Sequence, residues 1–290
     1  MSPKVAVITA TKNRKQHLLR CVESVAAQTY TDFEHIIVDD NSIDGTWGLL
    51  QQLCLRYKHL RIFQTPKPGR GGARGRNFGV QQTQAELIAY LDDDDGFYND
   101  HLATLIKHFE QHEDCQFAYC AAHKSQDGQH ITGTWNTNIW NEDIRAVNLF
   151  PLCAVMHTKK VWLAMGGMDE SLGVYEDWDL WQRMVHRGYI PCFINYVTSI
   201  VDSSLESSIQ HSESIEQKQQ VGEIIKAKMS LRNTDYHAYL KERIDLGVSP
   251  VKIPKKRRAP THKDVLKEVT KARIQDDNRA WFWRVIRGVI

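Results

Sequence analysis

The chain has 290 residues, a formal net charge of +2 and 25% charged residues. This length suits one large domain, or one domain with an appendage, and provides ample apolar residues for a core. The near-neutral balance gives no general signal for nucleic-acid binding, and no apolar run approaches the roughly 18 residues that a membrane span needs.

Cysteine usage and the first apolar run predict a cytoplasmic protein. The six cysteines contain no CxxC pair and no metal-type spacing, so we expect reduced, mostly buried thiols. The run Val5–Ile8 is too short for the apolar part of a signal peptide.

Charge is uneven along the chain. Residues 251–290 hold 12 Lys or Arg against 4 Asp or Glu, a local charge of +8 that leaves −6 for the first 250 residues. This asymmetry predicts a basic appendage on a mildly acidic body.

The first 65 residues alternate between strand and helix patterns. Lys4–Ala10, Glu34–Val38 and Leu60–Phe63 are short apolar runs of the kind that form buried strands. Apolar residues at helical spacing follow the first two runs: Leu18, Leu19, Val22, Val25 and Ala26, then Leu49, Leu50, Leu53 and Leu55. The alternation predicts a parallel sheet with right-handed crossovers.

A loop rich in glycine and arginine, residues 66–79, leads into the next predicted helix. Glycines let backbone N–H groups approach a phosphate, and arginines supply charged donors. The loop matches neither a Walker motif nor a dinucleotide fingerprint, so a flexible basic loop is an equal alternative.

The predicted strand Glu86–Leu91 ends on four acids, Asp92 to Asp95, and a helix over about 99–112 follows. Side chains two apart on a strand point the same way, so Asp92 and Asp94 could share a target. Two carboxylates about 6 Å apart repel by roughly 3 kcal/mol at an effective dielectric of about 20. A bound Mn²⁺ or Mg²⁺ would offset that repulsion. The alternative is a solvated acidic turn or a helix N-cap.

The second half of the chain has weaker patterns. Strands are predicted at Gln116–Cys120, Cys153–His157, Tyr189–Ile194 and Tyr196–Val201, a short helix at Lys159–Met165, and a flap over residues 124–140. Glu176 and Asp177 open another helix, where acids either cap the helix dipole or, beside tryptophans, become desolvated enough to act as a base.

The C-terminal region is predicted to be helical around a basic linker. Helical patterns cover 212–231 and 235–246, a linker with three prolines and Lys255–Arg258 covers 248–261, and residues 262–290 form a helical tail. Residues 278–290 place Phe282 and Ile286 on one face with arginines beside it. This pattern suits an anchor on an anionic membrane surface, or a helix packed on the preceding domain or on a second subunit as a homo-oligomer.

Five motifs in order resemble family 2 glycosyltransferases with the GT-A fold. They are Ala10 to Arg14, Val38 to Ser42, Gly75 to Gly79, Leu91 to Asp95 and Glu176 to Trp181. The resemblance covers residues 4 to about 201. It implies a mixed, mostly parallel α/β sheet in a catalytic domain of residues 1–247, with a nucleotide-binding half (about 1–97), an acceptor half (about 98–202) and a helical part (203–247).

The resemblance also implies roles for particular residues. Asp177 would be the general base of an inverting transfer, and Glu176 and Trp178 would lie on the acceptor side. Asp94 and Asp92 would bind Mn²⁺ or Mg²⁺, with Asp94 as the direct ligand. The nucleotide-sugar donor would meet the remaining residues: Ala10, Thr11, Asn13, Arg14, Asp40, Arg76, Asn77, Asp92 and Asp93.

The implied reaction moves one sugar from a nucleoside-diphosphate sugar, with a UDP-sugar favoured, to a glycan or lipid-linked saccharide. The Q-x-x-R-W motif of processive polymerases is absent, so one sugar is expected to be added. Lys12 stands where UDP-using members often have an aromatic residue. The enzyme would be cytoplasmic and peripheral on the inner face of a membrane, in polysaccharide biosynthesis.

Three other interpretations compete with this one. Asp93 also resembles the nucleophile of haloacid dehalogenase-type phosphatases, but Phe97 stands where their threonine is expected. A calcium loop that begins at Asp92 would have Ala103 where glutamate is required. An inactive glycan- or nucleotide-binding relative is harder to separate, although the presence of both Asp94 and Asp177 argues against it.

Overall fold

A computed structural model describes residues 2–69, 72–127, 130–136, 148, 150–189, 191–203 and 215–229. Its strands are β1 (Val5–Thr11), β2 (Phe33–Asp39), β3 (Leu60–Gln64), β4 (Leu87–Tyr90), β5 (Gly96–Phe97), β6 (Phe117–Ser125), β7 (Ile131–Trp135), β8 (Val155–Thr158) and β9 (Cys192–Asp202). Its helices are α1 (Leu18–Ala26), α2 (Thr46–Arg56), α3 (Ala73–Gln81), α4 (His101–Gln111), α5 (Lys159–Met165), α6 (Glu176–His186) and α7 (Ile215–Met229).

The nine described strands form one mixed sheet in the order β3-β2-β1-β4-β8-β6-β9-β5, with β7 paired to β6. The β1, β2, β3 and β4 strands run parallel, as the strand–helix alternation predicts. The β8 strand is antiparallel to both β4 and β6, and β9 runs parallel to β6. The carboxyl ends of β1, β2 and β4 therefore meet at one edge of the sheet.

Helices cover both faces of the sheet, which explains why its central strands are apolar without alternation. On β1, Ala6 and Ile8 belong to the core beneath α3, α5 and α6. Val5 and Val7 belong to the opposite core, beneath α1 and α4. The mixed α/β architecture of the sequence prediction is confirmed.

Several predicted elements need correction. The β4 strand ends at Tyr90, so Asp92 and Asp94 lie beyond the strand and the alternation argument for their orientation was wrong. The two strands predicted over 189–201 are one strand, β9, with register shifts against β6 at Cys120 to Ala122. The β5 strand was not predicted; its two residues pair with Ser199 and Ile200 of β9.

The predicted helix near 212–231 is confirmed as α7. The predicted helix over 235–246, the linker 248–261 and the tail 262–290 lie outside the described residues. Over the described part of the chain, the helices are too short or too polar to cross a membrane.

Candidate active site

A cleft of about 760 Å³ opens where β1, β2 and β4 end and α6 begins. Its lining includes residues from each of the five motifs and from the loop 66–79. They are Ala10, Thr11, Lys12 and Arg14 within or after β1, Asp40 after β2, Gly69 and Gly72 in the loop, Arg76, Asp92 to Asp95, and Glu176 and Asp177. The edge is the one at which open α/β sheets bind ligands.

Asp40 is held by three donors at one side of the cleft. The Thr65 hydroxyl donates to it at 2.7 Å, the Gly69 amide at 2.9 Å and the Lys12 ammonium at 3.0 Å. Burial acts to raise the pKa of Asp40, but these hydrogen bonds outweigh burial and leave the pKa below its ordinary value. A ligand here therefore meets an ionised carboxylate paired with a lysine.

The acidic turn after β4 is buried and surrounded by arginines. Asp93 accepts a 2.6 Å hydrogen bond from the Thr11 hydroxyl and lies 3.4 Å from Nε of Arg14. Arg14 also donates to the Asp94 carboxylate. Burial raises the pKa of Asp93 to about 6 in spite of Arg14 and Thr11. The turn thus concentrates carboxylates that need a cationic partner.

Three of these carboxylates fit a divalent cation. Oxygen atoms of Asp92, Asp94 and Asp95 all lie within 4.8 Å of one another. Burial, then the charges of Asp92 and Asp93, raises the pKa of Asp94 in spite of Arg14. Carboxylate oxygens are the ligands that Mg²⁺ and Mn²⁺ prefer. The sequence predicted Asp92 and Asp94; the structure adds Asp95.

Arg76 joins the acidic turn to the start of α6. Its guanidinium donates to Asp92 and, at 2.7 Å, to Glu176, and the Gly72 amide also donates to Glu176 at 3.1 Å. Burial acts to lower the pKa of Arg76, but Asp92 and Glu176 outweigh it, so the guanidinium stays charged. Glu176 is thus engaged by two donors, and Asp177 is the second carboxylate that lines the cleft at this end.

Asp177 is partly buried at the first turn of α6, where a helix dipole favours an anion. The Asn148 amide donates to its Oδ2 atom at 2.8 Å. Burial, then repulsion from Glu176, raises the pKa of Asp177 to about 6. A carboxylate with that pKa can take a proton from a ligand near neutral pH.

Three predicted site residues have side chains engaged outside the cleft lining. The side-chain Oδ1 atom of Asn13 accepts a hydrogen bond from the Ile43 amide at 2.8 Å. Asn77 donates to the Met168 carbonyl and accepts from the Met168 amide, both at 2.9 Å, and so fastens α3 to a loop. Trp178 packs with Leu172 and Ile225 in a small apolar cluster.

The sequence analysis assigned no role to several residues that the fold brings to the cleft. Lys124 and Trp135, on the β6–β7 hairpin, line it, and the Lys124 ammonium lies 4.0 Å from the centre of the Trp135 ring. The Asp202 amide donates to Asp95 at 2.9 Å, and the Asp202 carboxylate lies 3.0 Å from Arg20. The sequence indicated this side of the cleft only through the flap predicted over residues 124–140. The described part of that segment is the β6–β7 hairpin.

Comparison with known sequences points to one family. A sequence model described as "Glycosyl transferase family 2" matches residues 6–162. The chain is 33% identical over 105 residues to the GalNAc(5)-diNAcBac-PP-undecaprenol beta-1,3-glucosyltransferase of Campylobacter jejuni, a match over 36% of this chain and 34% of that protein. The chain spans no more than about a third of the length of three curated glycosyltransferases that it matches.

Comparison with solved structures supports the fold. The S. aureus TarS 1-349 complex with UDP-GlcNAc superposes with a TM-score of 0.64 at 15% identity, over 84% of this chain and 72% of that chain. The mannosyltransferase PcManGT from Pyrobaculum calidifontis, in complex with GDP-Man and Mn²⁺, gives a TM-score of 0.58 at 16% identity, over 97% and 83%. At these identities the likeness confirms the predicted fold class alone.

Proposed function

The chain belongs to glycosyl transferase family 2, and from that premise we propose that it is an inverting, metal-dependent glycosyltransferase. It moves one sugar from a nucleoside-diphosphate sugar to a hydroxyl of a glycan or lipid-linked saccharide. The observation that carries this proposal is one cleft lined by both the Asp92–Asp95 turn and Asp177 with its raised pKa. With family membership established, the phosphatase and calcium-loop alternatives have no support left.

The donor's nucleotide would bind between β1 and β2. Asp40 offers a carboxylate to the base edge, and Lys12 stands beside it with its side chain 43% exposed. We favour a UDP-sugar, as in the UDP-GlcNAc complex of TarS, although PcManGT has a similar fold and binds GDP-Man. Lys12 is the residue that sets this pocket apart, because it provides charge where an aromatic residue would provide stacking.

The donor's diphosphate would lie over the acidic turn. Asp92, Asp94 and Asp95 would hold Mn²⁺ or Mg²⁺, which when bound stabilises negative charge on the leaving diphosphate. Arg14 and Arg76, both in the cleft lining, contribute fixed positive charge beside the same group. The Mn²⁺ in the PcManGT complex supports a metal requirement.

Asp177 would act as the base. Its carboxylate accepts the proton of the acceptor hydroxyl while that oxygen attacks the anomeric carbon from the face opposite the diphosphate. The bond to the diphosphate oxygen breaks as the new glycosidic bond forms, so one displacement inverts the anomeric centre. Asn148 orients the carboxylate through its hydrogen bond to Oδ2.

The acceptor proposal rests on a relative. The C. jejuni relative is named for action on an undecaprenol-linked saccharide, which supports a lipid-linked acceptor here. Such an acceptor lies at a membrane, so we propose that the enzyme works from the cytoplasm as a peripheral protein on the inner face.

Calorimetric titration tests the proposal. The wild type is titrated with a panel of nucleoside diphosphates, with Mn²⁺ and then with chelator, and metal-dependent binding of one diphosphate is expected. Asp94→Ala should lose that binding. Asp177→Asn should keep it and lose transfer by about 10² or more. Glu86→Gln, an exposed acid paired with Lys4 away from the cleft, is the control for charge loss.

Equal loss of donor affinity in Asp94→Ala and Asp177→Asn would contradict these roles. Binding without transfer to any lipid-linked or free saccharide would favour the inactive relative. Absence of binding to every diphosphate by a folded sample would overturn the donor site.

A further inference from the structure

A second cluster of metal-ligand side chains lies outside the cleft. His108 is in the last turn of α4, Cys115 follows in the loop to β6, and Cys192 is the first residue of β9. One ligand atom from each lies within 4.8 Å of the other two. His112, one helical turn after His108, has its ring centre 4.3 Å from that of His108.

This cluster is remote from the acidic turn. It lies where β6 and β9 begin, and Cys192 is paired with Ala118 there. The β9 strand then runs to Asp202, whose amide donates to Asp95. The paired stretch of β6, from Ala118 to Ser125, covers the same distance in seven residues, which is about 23 Å of strand. A cation bound at the cluster would therefore be independent of the one proposed for the diphosphate.

The donor set selects the metal. Two thiols and an imidazole are ligands that zinc prefers, whereas Mg²⁺ and Mn²⁺ favour carboxylate oxygen. We propose that His108, Cys115 and Cys192 bind a zinc ion, with His112 or a water as the fourth ligand. Ligand atoms in a tetrahedral zinc site stand about 3.3 to 3.8 Å apart, so small side-chain rotations convert the observed cluster into a site.

The ligand atoms of the cluster differ in their hydrogen bonding, and the Cys115 thiol donates to the Phe117 carbonyl at 3.6 Å. Nε2 of His108 is buried, and among the described residues no group lies in hydrogen-bond geometry with it. A zinc ion bound to Nε2 would satisfy this nitrogen. The cysteine positions alone do not reveal this site, because Cys115 and Cys192 are 77 residues apart and the histidines precede both.

The bound ion would be structural. It would connect the end of α4 to the first residues of β9. The other end of β9 holds Asp202, whose amide donates to Asp95 in the cleft. The inference does not rest on the proposed function, since zinc content and stability are measured without any sugar substrate.

Metal analysis of the full-length protein, purified under reducing conditions without chelator, tests the site. We expect about one zinc per chain, retained after gel filtration. Cys115→Ser and Cys192→Ser should each reduce zinc to near zero, and His112→Ala should reduce it if the fourth ligand is His112. Cys54→Ser is the matched control, because Cys54 is a partly buried free thiol outside the cluster, and it should keep its zinc.

A cobalt titration covers the case in which the variants fail to fold. Wild type that is stripped of metal and given Co²⁺ should develop thiolate-to-metal charge-transfer absorption and tetrahedral d–d bands. Chelator should lower the Tm of wild type. Asp92→Asn with Asp94→Asn should leave the zinc content unchanged, which separates this site from the acidic turn.

Two results would overturn the inference. One is wild type with all six thiols reduced and no zinc or thiolate–cobalt absorption. The other is a Cys115–Cys192 disulfide in freshly purified protein, which would make the pair a redox element.

Discussion

At the scale of single residues, the proposed base is defined by its neighbours. Asp177 would be an ordinary helix-capping acid if it faced water. Instead, burial raises its pKa to about 6, while Asn148 acts in the opposite direction. Burial and Glu176 raise the pKa of this carboxylate, and the Asn148 amide partly offsets them.

This environment predicts the pH dependence of transfer. Asp177 must be ionised to accept a proton, and its pKa is raised, so kcat should fall about tenfold per pH unit below about 6 and level off above it. Asn148→Ala removes a hydrogen-bond donor that lowers the pKa of Asp177, so the acidic limb of the pH profile should move to higher pH. Measurement of kcat at saturating donor and acceptor from pH 5 to 8 checks this. An acidic limb that stays in place in Asn148→Ala would contradict the assignment.

The acidic turn shows what sequence could and could not predict about single residues. The four acids were identifiable because an apolar strand precedes them. Their orientation was not, because it depends on a turn in which the Asp95 amide donates to the Asp92 carbonyl at 3.1 Å. The Arg14 contacts to Asp93 and Asp94 join residues about 80 positions apart, and no local pattern encodes them.

At the scale of elements, the packing of α3 on β1 controls the position of Arg76. A Cβ atom built on Gly79 would lie 2.8 Å from Cγ2 of Ile8 and 3.2 Å from Cγ2 of Val38. One on Gly75 would lie 2.8 Å from the Cβ atom of Ala10. The two glycines therefore let the helix approach the strand closely enough for Arg76 to reach both Asp92 and Glu176.

Gly79→Ala should destabilise the fold. Overpacking against two branched side chains costs about 1 to 3 kcal/mol, which exceeds the helix-propensity gain of about 1 kcal/mol. Gly48→Ala in α2 is the matched control, because nothing lies within 4 Å of its Cβ position, and it should be neutral or stabilising. Urea unfolding of both variants measures the difference. Equal midpoints would show that α3 can shift away from the sheet at no cost.

The β6–β7 hairpin predicts an effect on acceptor recognition. Trp135 presents a ring at the cleft with Lys124 above it, a surface on which the apolar face of a sugar can pack. Trp135→Ala should raise the acceptor KM about tenfold, or about 1.4 kcal/mol, and leave diphosphate affinity unchanged. Trp135→Phe keeps an aromatic face and should recover most of the loss. Reduced diphosphate affinity in Trp135→Ala would instead place the ring on the donor side.

At the scale of the whole molecule, local patterns predicted the first four parallel strands because each is a short apolar run followed by a helix. They did not predict the order β4-β8-β6-β9, which joins strands far apart in the chain. The β5 strand has two residues and exists only because β9 pairs with it. The proposed acceptor side of the cleft is built from this non-local half, which is why sequence motifs identify its residues least well.

The charge asymmetry of the chain gives a last prediction, for residues outside the described structure. Residues 251–290 carry a charge of +8, so the full chain should bind vesicles that contain anionic lipid, and bind less as salt shortens the Debye length. Each basic residue near the membrane surface contributes about 1 kcal/mol, so replacing Arg279, Arg284 and Arg287 by Gln should weaken binding about 10²-fold.

A control of equal charge replaces three exposed lysines of the catalytic body: Lys58, Lys107 and Lys160. Sedimentation with anionic and neutral vesicles measures both variants. Unchanged binding by the arginine variant would favour a tail helix that packs on the catalytic domain or on a second subunit.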